Sequence, residues 1–125
     1  AAALKLALNQ LIAVHAAGFS LSLGIVERND IDRQLFMEIL RESSLYTSMY
    51  DKKLHNWVER DFSNPNFPTK HLQKDVRLIS EHASEAGLNT GVLEAIRTII
   101  DQSVERGCGD MDYSSIINVI HPRKE

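Results

Sequence analysis

Between Lys5 and Glu27 the chain carries no Asp, Glu, Lys or Arg. Only Asn9, Gln10, His15, Ser20 and Ser22 interrupt the run from Leu6 to Val26. A helix apolar on nearly every side belongs either in the middle of a helical domain or in a membrane. The scattered polar residues, with Gly18 and Gly24, weigh against a membrane span. A lone basic residue ahead of so long an apolar run also weighs against a secretory leader. The stretch is therefore expected to be a central helix from about Ala2 to Glu27. Its small residues Ala16, Ala17, Gly18, Ser20, Ser22 and Gly24 would let other helices approach closely.

The rest of the chain reads as shorter helices packed around that rod. After the polar break Arg28-Asn29-Asp30, either Asp30 or Asp32 can cap a second helix reaching about Arg41, with Ile31, Leu35, Phe36, Ile39 and Leu40 as its stripe. A third helix is expected from Leu45 to Arg60, on the stripe Leu45, Tyr46, Met49, Tyr50, Leu54, Trp57 and Val58. Asp61 to Pro68 is a loop, because Pro65 and Pro68 disfavour helix in the residues before them. Phe62 and Phe67 lie in that loop and each must pack against something. A fourth helix runs from Thr69 to Ala86 and stops at Gly87, with Leu72, Val76, Ile79, Ala83 and Ala86 as its seam. Thr90 can cap a fifth, Gly91 to about Arg106, with a seam of Val92, Ile96, Ile99, Ile100 and Val104. The pairs Glu94–Arg97 and Arg97–Asp101 would add a few tenths of a kcal/mol each. Gly107 ends that helix, Asp112 caps a short last one carrying Ile116, Ile117 and Ile120, and Pro122 stops it. No period-two segment with turn signals remains, so the expected class is all-α, one domain over residues 1–125.

Composition narrows the chemistry. The net charge is −3, which gives no basic field for nucleic acid or an anionic membrane. The lone Cys108, between Gly107 and Gly109, excludes an internal disulfide and fits a reducing, cytoplasmic setting. A small residue in a loop is its simplest role. None of His15, His55, His71, His82 and His121 forms a metal-binding pattern, and His71 and His82 are three helical turns apart. There is no nucleophile elbow, no Walker loop and no G-x-G-x-x-G. An opening at Ala1-Ala2-Ala3-Leu4, without methionine, reads as a piece of a longer protein.

Two pairs remain. Lys5 and Asn9 stand one helical turn apart on one face. An ammonium beside an amide can hold a small carboxylate or polarise a carbonyl oxygen. On spacing alone the simpler reading is a surface lysine at a helix end with an asparagine below it, since K-x-x-x-N is a weak pattern. Lys74-Asp75, seven residues after Phe67, reads by default as a solvated charge pair.

In order along the chain, K-x-x-x-N (Lys5, Asn9), F-x-x-x-x-x-x-K-D (Phe67, Lys74, Asp75) and G-x-G-x-x-D-x-S (Gly107, Gly109, Asp112, Ser114) resemble the C-terminal helical domain of the β-hydroxyacid dehydrogenases. This is the family of 3-hydroxyisobutyrate dehydrogenase and tartronate semialdehyde reductase, with a fold like the C-terminal domain of 6-phosphogluconate dehydrogenase. Each motif is weak alone; the order and spacing carry the resemblance, which covers essentially the whole chain. It implies that Lys5 is catalytic, that Asn9, Phe67 and Asp75 serve the substrate, and that Lys74 lies against a nicotinamide cofactor, NAD or NADP. It also implies an N-terminal dinucleotide-binding domain outside this chain, a small carboxylate-bearing substrate, and a homodimer formed through the helical domains. One departure is Ala1, where the family often has glycine four residues before the lysine. A lysine at position 5 favours a hydroxy acid or aldehyde acid over the substrates of the related imine reductases. A proton-transferring lysine works best with its pKa brought toward neutrality by burial or positive potential, and the helix N-terminus supplies the latter. The competing expectation is a stand-alone helical dimerisation or binding module, in which Lys5 and Lys74 would not converge on one cleft.

Overall fold

The computed structural model describes residues 2–123. Ala1, the site of the glycine departure, lies outside them. Among the described residues there are six α-helices and no strand. Helix α1 spans Ala2–Arg28, α2 Arg33–Arg41, α3 Ser48–Glu59, α4 Thr69–Glu85 and α5 Gly91–Ser103. A π-helical turn over Val104–Cys108 and a 3-10 turn over Tyr113–Ile116 lead into α6, Ile117–Ile120.

At 1.5 Å per residue α1 is about 40 Å long. It passes the length and composition test for a membrane span, yet α2, α4, α5 and α6 all pack against it. Its inner face combines small and large residues. Ala13, Ala16, Ser20 and Gly24 admit neighbours, while Phe19 and Leu23 fill the space between them. Gly24 shows why small size is needed: a Cβ there would meet the His121 ring at 3.2 Å. Ser20 hides its hydroxyl by donating to the Ala16 carbonyl at 2.7 Å. Phe19 stacks on Tyr50 of α3 with centroids 4.3 Å apart and touches Trp57, which is fully buried. Burying a side chain of that size stabilises by roughly 1.5–3 kcal/mol.

Several local expectations shift. Asp32, not Asp30, caps α2, accepting from Gln34 N at 3.0 Å. Ile31, Leu35 and Ile39 of the expected stripe are exposed, and Met37 and Leu40 are the buried pair. Helix α3 starts at Ser48 because Ser43 folds the chain into turns, its Oγ accepting from Leu45 N and its carbonyl from Tyr46 N. Leu45 is consequently exposed. In α5 the inward residue is Leu93, not Val92. Thr90 holds the cap position without a side-chain bond, and Asn89 Oδ1 accepts from Gly91 N instead. Arg97 pairs with Glu94 at 3.6 Å, whereas Asp101 accepts from Gln73 of α4. The α-helical part of α5 ends at Ser103, and the wide turn carries the chain on to Cys108 through Gly107 at φ +92°.

Phe62 is buried and Phe67 packs edge-on against Tyr113. The segment after the π turn clasps the loop ahead of α4: Asp112 N donates to the Phe62 carbonyl and Tyr113 N to the Phe67 carbonyl, each at 2.9 Å. Pro68 sits at the N-cap of α4 and offers no side-chain acceptor. Thr69 N and Lys70 N donate to the carbonyls of Met111 and Gly109 instead, at 2.8 and 2.9 Å. A buried ion pair braces this corner. Lys53 Nζ of α3 lies 2.8 Å from Asp112 Oδ1 and 4.7 Å above the Tyr113 ring.

Candidate active site

Lys5 and Asn9 leave α1 on the side that meets α4. Facing them on α4 are Asp75, Leu78, His82 and Glu85, which share one face because they recur at three- and four-residue steps. Together with Ala2, Leu6 and Glu81 these residues line one open cleft of about 440 Å³. Lys5 is exposed, Asn9 and Asp75 are half-buried, and Asn9 Nδ2 donates to Asp75 Oδ2 at 2.9 Å. A carboxylate can only accept, so this bond fixes the Asn9 amide. Its Oδ1 and second N–H remain for a bound molecule.

The cleft thus gathers three of the sequence-derived residues, Lys5, Asn9 and Asp75. Lys74 and Phe67 are not among its lining residues. Lys74 follows the helix round to the exposed side next to Asp75, and no ion pair holds it among the described residues. Phe67 lies in the loop before α4, about two turns from Asp75, wedged against Tyr113 with its ring 6.5 Å from that of His71. Convergence of Lys5 with Lys74 is therefore incomplete within this chain: Lys74 borders the cleft and does not enter it.

Glu81, His82 and Glu85 were not anticipated as cleft residues. The steps from Asp75 through Leu78 and His82 to Glu85 were visible in sequence; what was not visible is which face of α4 meets α1. They make the wall acidic, with Asp75, Glu81 and Glu85 set against Lys5. The arrangement can donate a proton from one ammonium and hydrogen-bond a small polar molecule through one oriented amide. Among the described residues no three His, Cys, Asp or Glu side chains gather as metal ligands. A more apolar pocket of about 330 Å³ lies on the other flank of α1, sharing Leu6 and His82 with the cleft.

Comparison with known proteins follows the same lines. Residues 1–120 match the family described as NAD-binding of NADP-dependent 3-hydroxyisobutyrate dehydrogenase. Two curated relatives come from Arabidopsis thaliana. Glyoxylate/succinic semialdehyde reductase 2, chloroplastic, is 24% identical over 98% of this chain and 34% of its own length. Glyoxylate/succinic semialdehyde reductase 1 is 25% identical over 99% of this chain and 43% of its own. The chain therefore spans well under half the length of these relatives. Among solved structures, 3-hydroxyisobutyrate dehydrogenase from Salmonella typhimurium superposes with a TM-score of 0.82 at 17% identity, covering 93% of this chain and 40% of that one. The Mycobacterium tuberculosis 3-hydroxyisobutyrate dehydrogenase with L-serine gives 0.81 at 15% identity, covering 94% and 42%. These two likenesses establish the all-α fold. By the family match, which takes in nearly every residue, the chain belongs to the β-hydroxyacid dehydrogenases and corresponds to their helical C-terminal region.

Proposed function

We propose that this chain forms one wall of the active site of an NAD(P)-dependent dehydrogenase acting between a small β-hydroxy acid and its aldehyde-acid counterpart. The observation that carries the reading is the cleft itself: Lys5 opens into it one turn from Asn9, and Asn9 is held by Asp75. The names of the relatives support an aldehyde-acid substrate, since glyoxylate and succinic semialdehyde are both aldehyde acids.

The nicotinamide group supplies the hydride when bound. Lys74 suits such a group, being an uncommitted cation beside the cleft. As the carbonyl carbon gains hydride, its oxygen must gain a proton, and Lys5 is the donor on this wall; in the reverse direction Lys5 takes the proton from the hydroxyl. Asn9 hydrogen-bonds the substrate and sets its orientation. Asp75 acts through Asn9, whose amide it holds, and the carboxylates of Glu81 and Glu85 repel an acid group from the rest of the wall. The substrate carboxylate is therefore directed toward Lys5, Asn9 and the dinucleotide domain outside this chain. Taken alone, the chain is a folded wall without turnover.

Dimerisation belongs to the same proposal. Leu4, Leu8, Leu11, Leu21 and Ile25 leave α1 exposed along its outer side, and Ile31, Leu35 and Ile39 continue the apolar surface on α2. Exposed apolar side chains in this number on two helices support an interface between two copies of the chain.

The test is Lys5→Ala in the full-length protein, assayed with NADPH or NADH over small aldehyde acids. Turnover should fall at least about a hundredfold, with the melting temperature unchanged because Lys5 is exposed. A near-normal rate would remove Lys5 from the chemistry. Asn9→Ala should chiefly raise the KM for the acid; an unchanged KM would count against its orienting role.

A further inference from the structure

The opposite end of α1 carries a second concentration of charge that the proposed dehydrogenase does not use. Arg28 at the end of α1, Arg60 at the end of α3, and Arg123 after α6 line one pocket of about 370 Å³ with Val58 and His121. Lys5 and Arg28 are separated by roughly 35 Å of helix. The three arginines come from three distant parts of the sequence, so the fold, not a basic run, brings them together.

Their protein partners are all neutral. Arg28 donates to the Pro122 carbonyl at 2.7 Å and Arg123 to the Val58 carbonyl at 3.4 Å. Arg60 donates to Asn118 Oδ1 at 2.8 Å and approaches His121 Nδ1 at 3.4 Å. Each guanidinium has five N–H groups, so most of these donors keep no protein acceptor among the described residues. Two carboxylates also line the pocket, Glu27 and Asp30. Glu27 is already committed, Oε1 to Arg33 at 3.5 Å and Oε2 to His121 Nε2 at 3.0 Å. Asp30 is exposed at the tip of the turn after α1. Burial lowers the Arg60 pKa from its ordinary value and Arg123 lowers it further, Glu27 opposing, which places the two guanidiniums within electrostatic reach. Like charges held together around a concave surface lower their energy by taking up an anion.

The geometry points to a phosphate-class anion site formed by Arg28, Arg60 and Arg123, taking the phosphate group of a small phosphomonoester. A carboxylate has two oxygens and is satisfied by one guanidinium fork. Three guanidiniums around one opening match a group with three or four oxygens. The pocket volume exceeds that of the ion and leaves room for the organic part of an ester. The His121 ring lines the pocket beside the three arginines. With Arg60 donating to Nδ1, the imidazole proton sits on Nε2 and points at Glu27, so the donors of the site are those of the guanidiniums.

The test is calorimetric titration of glycerol 3-phosphate into the full-length protein at fixed ionic strength, with glycerol as the blank. Saturable binding should be seen, and the dissociation constant should rise at least tenfold in Arg123→Gln and in Arg28→Gln. Both residues are exposed, so these variants should keep the wild-type melting temperature without ligand. Lys5→Met should bind as wild type, which separates this site from the catalytic cleft. Inorganic phosphate is the second probe: competition as strong as the ester's assigns the site to free phosphate, and weaker competition assigns it to the ester. No saturable binding, or binding unchanged in both arginine variants, overturns the proposal.

Discussion

Replacing Lys53 by methionine should cost this fold about 3 kcal/mol. Asp112 is 1% exposed, and Lys53 is 14% exposed at the side chain. Oδ2 of Asp112 is served by Ser114, whose N and Oγ both donate to it, but Oδ1 has Lys53 alone. Methionine keeps the aliphatic stem near Tyr113 and deletes only the charge. The carboxylate is then left buried with Oδ1 unpaired and two of its three partners remaining. Breaking one side of a buried pair typically costs about 3–5 kcal/mol, and the two Ser114 bonds argue for the lower figure. A domain of this length unfolds with an entropy of roughly 0.26 kcal/mol/K, so the loss corresponds to a fall in melting temperature of about 11 °C. The double variant Lys53→Met, Asp112→Asn removes the stranded charge and should recover part of the loss, giving a coupling of about 2 kcal/mol in the cycle. Urea and thermal unfolding of all four proteins measure it. Costs of the two single changes that simply add in the double variant would refute the pair as the brace of this corner.

Three further outcomes follow from the charges and the apolar faces. Burial lowers the His121 pKa from its ordinary 6.5, with Glu27 opposing and Arg60 and Arg28 reinforcing. The unfolded chain therefore takes up this proton first, and stability present above pH 6.5 should decline as the pH falls through the mid-acid range. His121→Gln should flatten that decline in melting temperatures between pH 7.5 and 5.5; an unchanged slope refutes the assignment. Arg41, and after it Tyr46, hold the Asp51 carboxyl down at about 2 from an ordinary 3.8. Its contribution is present above pH 4 and lost as the pH falls toward 2, a small effect at so exposed a pair, and Asp51→Asn should remove it from acid unfolding curves. The unaltered protein should be dimeric by light scattering at micromolar concentration, and Leu21→Lys with Ile25→Lys should leave it monomeric; a monomeric parent would remove the proposed dimer.

The long helix was legible because its charge-free run has no other place in a folded domain. Boundaries blurred where side chains and backbone compete locally. Ser43 draws Leu45 and Tyr46 into turns that delay α3, and Asn89 takes the bond expected of Thr90. In α5 the apolar residues Val92 and Leu93 are neighbours, and only contact with α4 and α1 decides which of them turns inward. The candidate site was legible as far as it depends on one helix, since Lys5 and Asn9 need only the 3.6-residue period. Its acidic wall was not, because Glu81 and Glu85 matter only once α4 has been set down beside α1. The arginine pocket was invisible in sequence for the same reason, its members coming from three separate turns.

The clasp between the π turn and α4 has a consequence for the order in which the protein is made. The first N–H groups of α4 are received by the carbonyls of Gly109 and Met111, and Thr69 Oγ1 reaches Met111 across 42 residues of sequence. As α4 leaves the ribosome it has neither a side-chain cap nor these receptors. The wall that carries Asp75 cannot take its final orientation until residues 109–112 have also emerged. Until then the part of α1 that α4, α5 and α6 cover stays open, with only α2 and α3 available to pack on it. This stretch of synthesis is the interval in which a nascent chain of this kind is most exposed to chaperones and to misassociation.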